Sequence, residues 1–171
     1  MEKILQNKAV VLGRNIDTDQ IYPGRFLAVV EPDEIGKHCM AGIEEELRLK
    51  IPDSIVVAQT NFGCGSSREH AVITLLNANV QAVVAESFAR IFFRNAINLG
   101  LPLMICKGIS NYVKTGQELK VDVGAGTVTI MKTGKTLKGE KLGDHVLEII
   151  EAGGIKPMFR KKYLKEAKIS E

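Results

Sequence analysis

Cysteine is scarce: Cys39, Cys64 and Cys106 are the only three, and no two of them form a Cys-x-x-Cys pair. An odd, scattered set suggests neither a disulfide framework nor a self-contained zinc or iron–sulfur site. No run approaches the roughly 20 apolar residues that cross a bilayer. Met1-Glu2-Lys3-Ile4-Leu5 also lacks the apolar core of a signal peptide. The expectation is a cytoplasmic protein with no membrane partner. Charge of one sign is scarce too. The 23 basic and 20 acidic residues leave a net +3, too little to argue for nucleic acid. Much of the excess lies in Arg160-Lys161-Lys162-Tyr163-Leu164-Lys165. A solvated tail, about residues 165–171, explains that end of the chain more cheaply than a binding patch. Internal repeats and long linkers are absent.

Several familiar motifs are missing as well. Gly63, Gly65 and Arg68 fall on the three glycine positions of a dinucleotide fingerprint, and the third is wrong. No Lys-Ser or Lys-Thr follows these glycines, which excludes a nucleotide P-loop. Ser66 is followed by Ser67 and Arg68, not by the x-Gly of a nucleophile elbow. Cys64 has no legible base to make it a nucleophile, and residues 14–24 offer too few oxygens for a calcium loop.

What remains is an ordinary globular balance, 45% hydrophobic and 25% charged over 171 residues. That suits one domain with a sizeable core. Residues 8–12 read as a first strand. Residues 54–58, 80–85 and 101–106 read as buried strands separated by helical patterns at 71–80 and 88–99. Ser87 is the expected cap of the second helix and Gly100 its stop. This alternation argues for a parallel sheet flanked by helices. Residues 117–123 and 127–131 alternate around Gly124-Ala125-Gly126, predicting a hairpin in a small β layer beside that sheet. Helix chemistry also appears at 32–40, at 42–50 and at 144–152. His38 and His145 read as structural.

The chain is organised around Asn61-Phe62-Gly63-Cys64-Gly65-Ser66-Ser67-Arg68-Glu69-His70-Ala71, a turn between a strand and a helix. Its glycines let backbone approach a ligand closely. Ser66 or Ser67 is the expected N-cap, with helix N–H groups facing an anion. Arg68 in the first helical turn opposes the helix dipole, which suggests a carboxylate or phosphate nearby. A structural Gly-Ser cap is the plainer alternative. Upstream, Asp17 and Asp19 flank Thr18. Either they are Asx-turn residues that hold their own loop, or one of them reaches the site. Residues 25–30, Arg25-Phe26-Leu27-Ala28-Val29-Val30, form a short strand or an apolar loop.

Taken together, these stretches resemble the small subunits of two-subunit dehydratases in the aconitase superfamily: the isopropylmalate dehydratase and homoaconitase small subunits. The resemblance rests on Asn15-Ile16-Asp17-Thr18-Asp19-Gln20-Ile21, on the Asn61 to Ala71 block and on Ser87-Phe88-Ala89-Arg90-Ile91-Phe92-Phe93-Arg94-Asn95. It continues in Ile97-Asn98-Leu99-Gly100-Leu101-Pro102 and in Ala152-Gly153-Gly154. It implies an α/β fold, the swivelling β/β/α domain, and covers the chain from about residue 5 to 165. It also implies a large partner subunit carrying a [4Fe–4S] cluster on its own cysteines, with no cofactor bound by this chain. The implied reaction removes and re-adds water on a 2-hydroxy dicarboxylic acid, as in leucine biosynthesis.

By the same resemblance Ser66 matches a catalytic serine that takes a proton α to a carboxylate, and Asp19 matches an active-site aspartate. Arg68 matches a substrate-carboxylate arginine, with Ser67 and Gly65 completing that pocket. The family's specificity loop falls on Arg25 to Val30. Homoaconitase-like members place an arginine where this chain has Ala28, and the Leu-Val-Tyr pattern of isopropylmalate enzymes is not matched either. The apolar loop favours an alkylmalate, isopropylmalate or dimethylmalate, over a homocitrate-type acid. An isolated chain is expected to self-associate through the surface its partner would cover. A non-catalytic binding protein on the same fold is the rival reading.

Overall fold

The computed structural model describes residues 4–169. The chain runs β1 (Ile4–Val11), α1 (Thr18–Ile21), α2 (Pro32–Lys37), α3 (Glu45–Arg48), β2 (Ile55–Ala58), α4 (His70–Asn77), β3 (Ala82–Ala85) and α5 (Arg90–Leu99). It continues with β4 (Leu103–Ile105), β5 (Glu118–Asp122), β6 (Thr127–Ile130), β7 (Thr136–Lys138), α6 (Asp144–Glu151) and α7 (Ile155–Ile169). Single 3₁₀ turns occupy Gly24–Phe26 and Ile109–Asn111.

The seven strands form one sheet in the order β4-β3-β2-β1-β5-β6-β7. From β4 to β1 the neighbours are parallel, and from β1 to β7 they are antiparallel. β1 serves both halves. Its end, Ala9 to Val11, pairs with β2, and its beginning, Ile4 to Lys8, pairs with β5. The strand therefore starts four residues before the expected residue 8. The polar Gln6 and Asn7 hid it, because a strand solvated on one face shows no apolar run.

β2 and β3, Ile-Val-Val-Ala and Ala-Val-Val-Ala, are buried throughout because both of their faces are covered. Val56, Ala58, Val83 and Ala85 pack with α4, α5 and α6 through Val72, Leu75, Phe92, Ala96 and Ile150. Their alternating neighbours Ile55, Val57, Ala82 and Val84 join Leu119, Val121, Val128 and Ile130. The antiparallel half thus curls over the back of the parallel half. The expected hairpin layer is present, joined to the parallel strands as a continuation of one sheet. Beyond β7 the curl meets β4: Glu140 N–H donates to the Ile105 carbonyl at 2.7 Å, and a Cβ on Gly139 would lie 2.5 Å from Met104 Sδ.

Other boundaries also move. Residues 27–30 form an exposed loop after the 3₁₀ turn, not a strand, and within 42–50 only Glu45–Arg48 is helical. Helix α5 begins at Arg90 with Ala89 as its N-cap, not at Phe88 behind Ser87. Helix α7 runs into the expected tail as far as Ile169, and Phe159, Tyr163 and Leu164 are exposed on that helix before it. Residues 170–171 of that tail, and residues 1–3 of the N-terminal reading, lie outside the described residues. None of the helices among the described residues is long and apolar enough to cross a membrane.

Candidate active site

Three loops leave the C-terminal ends of β1, β2 and β3 side by side, where open parallel sheets hold their ligands. The middle loop carries the glycine turn, and both neighbours pin it. On one side Asp17 and Cys64 form a bridge, Thr18 N–H donates to the Cys64 carbonyl at 2.8 Å, and Gly63 N–H donates to Ile16 at 2.7 Å. On the other, Phe62 bridges Phe88, with Phe62 N–H donating to Ser87 and Ala89 N–H to Phe62. The Ser87 hydroxyl accepts from Asn61 N–H at 2.8 Å. Ser87 therefore holds the turn, which is the work that displaces it from helix capping. Beneath lies an aromatic floor, with Phe62 edge-on to Phe92 at 5.2 Å between centroids.

Helix α4 starts at His70, with Glu69 as N-cap and no side-chain capping bond. The expected cap at Ser66 or Ser67 is thus corrected, and Arg68 precedes the helix instead of opposing its dipole. The cause is local. Ser66 N–H is already committed to Thr18 Oγ1 at 3.0 Å, so the chain stays extended across the loops before it coils.

The site residues come together as follows. The Ser66 and Thr18 hydroxyl oxygens are 2.9 Å apart, and either can donate. Arg68 Nη2 donates to Asp19 Oδ1 at 3.1 Å. The Asp19 side chain is 67% exposed, so water screens this pair and it contributes only about 0–1 kcal/mol to stability. The other terminal nitrogen of Arg68, Nη1, is buried with no hydrogen-bond partner. A Cβ on Gly24 would lie 3.1 Å from that nitrogen, so a glycine there lets the turn close over it. Ser66 and Gly65 are exposed, and they line an open depression of about 410 Å³ with Asn61, Phe88, Arg90 and Ile91. Ser67 is exposed, and its carbonyl accepts from Asn95 Nδ2 at 3.3 Å.

Asp17 and Asp19 divide the two roles left open for them. Asp17 is the N-cap of α1, its carboxylate accepting Gln20 N–H at 2.8 Å while Gln20 Oε1 accepts Asp17 N–H. Asp19 faces Arg68. Of the loop 25–30, Arg25 shares a second open depression of about 400 Å³ with Asp17, Asp19, Gln20, Pro23, Gly24 and Gly42. The Arg25 guanidinium also sits 4.6 Å over the Phe26 ring, which stacks on His38. Leu27, Ala28 and Val30 are exposed, Val30 at 78%, and Val29 is half-buried.

Sequence reasoning passed over Thr18, which is only 3% exposed and meets Ser66 twice. Its signal was present: a lone hydroxyl between two carboxylates whose helical turn hides the middle residue. Cys39 and Cys106 are buried away from the turn. Burial pushes the Cys39 thiol up to about 12, and burial followed by the nearby Glu86 raises Cys106. The described residues contain no grouping of three or more His, Cys, Asp or Glu able to hold a metal ion.

The aconitase C-terminal domain family matches residues 47–108, which span the glycine turn and the strands on either side of it. The chain is 47% identical over 163 residues to the isopropylmalate/citramalate isomerase small subunit of Methanocaldococcus jannaschii, covering 95% of this chain and 97% of that one. It is 46% identical to the 3-isopropylmalate dehydratase small subunit of Pyrobaculum calidifontis, over 89% of this chain and 94% of that one. The crystal structure of a 3-isopropylmalate dehydratase from Methanocaldococcus jannaschii superposes with a TM-score of 0.90 at 40% identity, covering 96% and 98%. The chain belongs to the family of 3-isopropylmalate dehydratase small subunits, which are hydro-lyase subunits of the aconitase superfamily.

Proposed function

We propose that this chain supplies the proton-transfer and carboxylate-binding half of an alkylmalate dehydratase whose other half comes from a large subunit. One observation carries the reading. Arg68, two residues along the chain from Ser66, has Nη2 on Asp19 and Nη1 without an acceptor, so it keeps capacity for a second carboxylate. A charge-assisted pairing of that kind orients a substrate strongly. Nη1 is closed over by the Gly24 turn, so a carboxylate reaching it arrives with a movement of that turn.

In the proposed reaction Ser66 Oγ takes the proton from the carbon next to the bound carboxylate. The electron pair left behind forms the carbon–carbon double bond as hydroxide leaves the neighbouring carbon. In the return step hydroxide adds to the carbon that lost the proton, and the proton held on Ser66 Oγ passes to the carbon that lost the hydroxide, which yields the isomer and restores the base. Among the described residues no three His, Cys, Asp or Glu are grouped to hold a metal, and the [4Fe–4S] cluster is proposed for the large subunit, where it would supply a Lewis acid for the hydroxyl.

Leu27, Ala28 and Val30 support an alkyl substituent, since a third carboxylate against them would lose its water without a partner. Isopropylmalate is the proposed substrate, and the shorter citramalate named for the relative is a natural second one. The test is steady-state kinetics on the enzyme assembled with its large subunit and an intact cluster. The expected kcat/KM for isopropylmalate exceeds that for homocitrate by about 100-fold or more. Equal values, or turnover by this chain alone, would overturn the proposal.

A further inference from the structure

We propose that Thr18 is the positioning residue that holds Ser66 in its proton-accepting state, an inference that rests on Ser66 being the base. The Thr18 hydroxyl has one proton and two lone pairs. One lone pair is committed to Ser66 N–H at 3.0 Å. The Ser66 oxygen lies 2.9 Å from the same Thr18 oxygen. When Ser66 has lost its proton it has nothing to donate, so at that separation the Thr18 O–H must be the donor. A hydroxyl donating to an oxyanion is the stronger, charge-assisted kind of hydrogen bond, and Thr18 is buried, so its own hydroxyl has little access to water. One side chain thus fixes the serine's backbone through its lone pair and receives the negative charge through its proton.

The surroundings leave Thr18 little freedom. Its own N–H is held by the Cys64 carbonyl, and the reciprocal bonds between Asp17 and Gln20 lock the turn of α1 on which it sits. Gly65 adopts φ +98°, and a Cβ there would lie 3.3 Å from Thr18 Oγ1. The glycine is what allows the serine strand to come this close. Packing alone would not place the Thr18 hydroxyl against both the backbone N–H and the hydroxyl oxygen of one neighbour.

The test compares Thr18→Val, which keeps the shape and removes the hydroxyl, with Thr18→Ser, which keeps the hydroxyl and removes a methyl group. Both are assembled with the large subunit and followed with isopropylmalate. Thr18→Val is expected to lower kcat by about 10- to 100-fold with KM little changed, the worth of one hydrogen bond to a charged group. The acidic limb of its kcat/KM profile should move up by about 1–2 pH units, because the serine proton becomes harder to lose. Thr18→Ser should restore most of the rate and return the limb. Wild-type kcat and pH profile in Thr18→Val would overturn the inference. So would equal impairment of both variants with the subunits still associated. A Ser66→Ala enzyme that still turns over separates the cases, because it would sink the base itself and not merely Thr18's part in it.

Discussion

Arg68 holds Asp19 through one nitrogen, and its second nitrogen has no acceptor. At this scale the consequences are chemical. Arg68→Lys keeps the charge but loses the planar fork, so KM for isopropylmalate should rise about tenfold or more while the subunits still associate. Ser66→Ala should cut turnover by about 10³-fold, as loss of a general base does, with unchanged affinity for the large subunit by titration. Cys39 makes a separate prediction about pH. Its native thiol is pushed up to about 12 from 9.0 by burial. A raised native value means the neutral thiol's contribution is intact below pH 9 and is lost as pH climbs toward 12. Between pH 8 and 10 wild type should therefore lose about 1 kcal/mol more than Cys39→Ala does, read from urea unfolding of both.

At the scale of elements, the glycine turn is held by its neighbours more than by its own propensities. Gly63 has φ +82°, and a Cβ there would fall 2.2 Å from Phe92 Cγ. Gly63→Ala should cost about 3 kcal/mol in urea unfolding, combining left-handed strain with overpacking. Which strands and helices exist was legible in the sequence wherever the pattern was strong: the apolar runs of β2 and β3, and the periodicity of α5 with Gly100 to end it. Where those elements begin was not. Ser66 and Ser87 look like caps by residue type, yet each is already bonded across the site, Ser66 to Thr18 and Ser87 to Asn61. Such bonds join residues far apart in the chain, and no local window contains them. β7, only Thr136–Lys138 and mostly exposed, carries too little apolar signal to be seen. For the site, Asp19 and Arg68 were visible as charged groups beside turns. Thr18 stood in the same motif between two carboxylates, but its contact with Ser66 joins distant parts of the chain and shows only in the folded structure.

Across the whole molecule, β1 is the one strand common to the parallel and antiparallel halves. The two halves also share an interior, since Ile55 and Val84 pack with Leu119 and Val128. Neither half has a complete core alone. Amides of β3 and of β5 should therefore exchange hydrogen through the same global opening, with equal free energies, and unfolding should be a single transition. Distinct exchange energies for the two strands would show that the halves open independently.

The pairing of Leu5 with Val121 has a bearing on synthesis. β1 is synthesised before β2 and β5, the two strands that pair with it. Until β5 emerges, a nascent chain carries β1 with a bare edge, and such an edge is where strangers add. Closing that pairing joins Leu5 to Val121, far apart in the chain, a slow search by the ordinary dependence of folding rate on sequence separation.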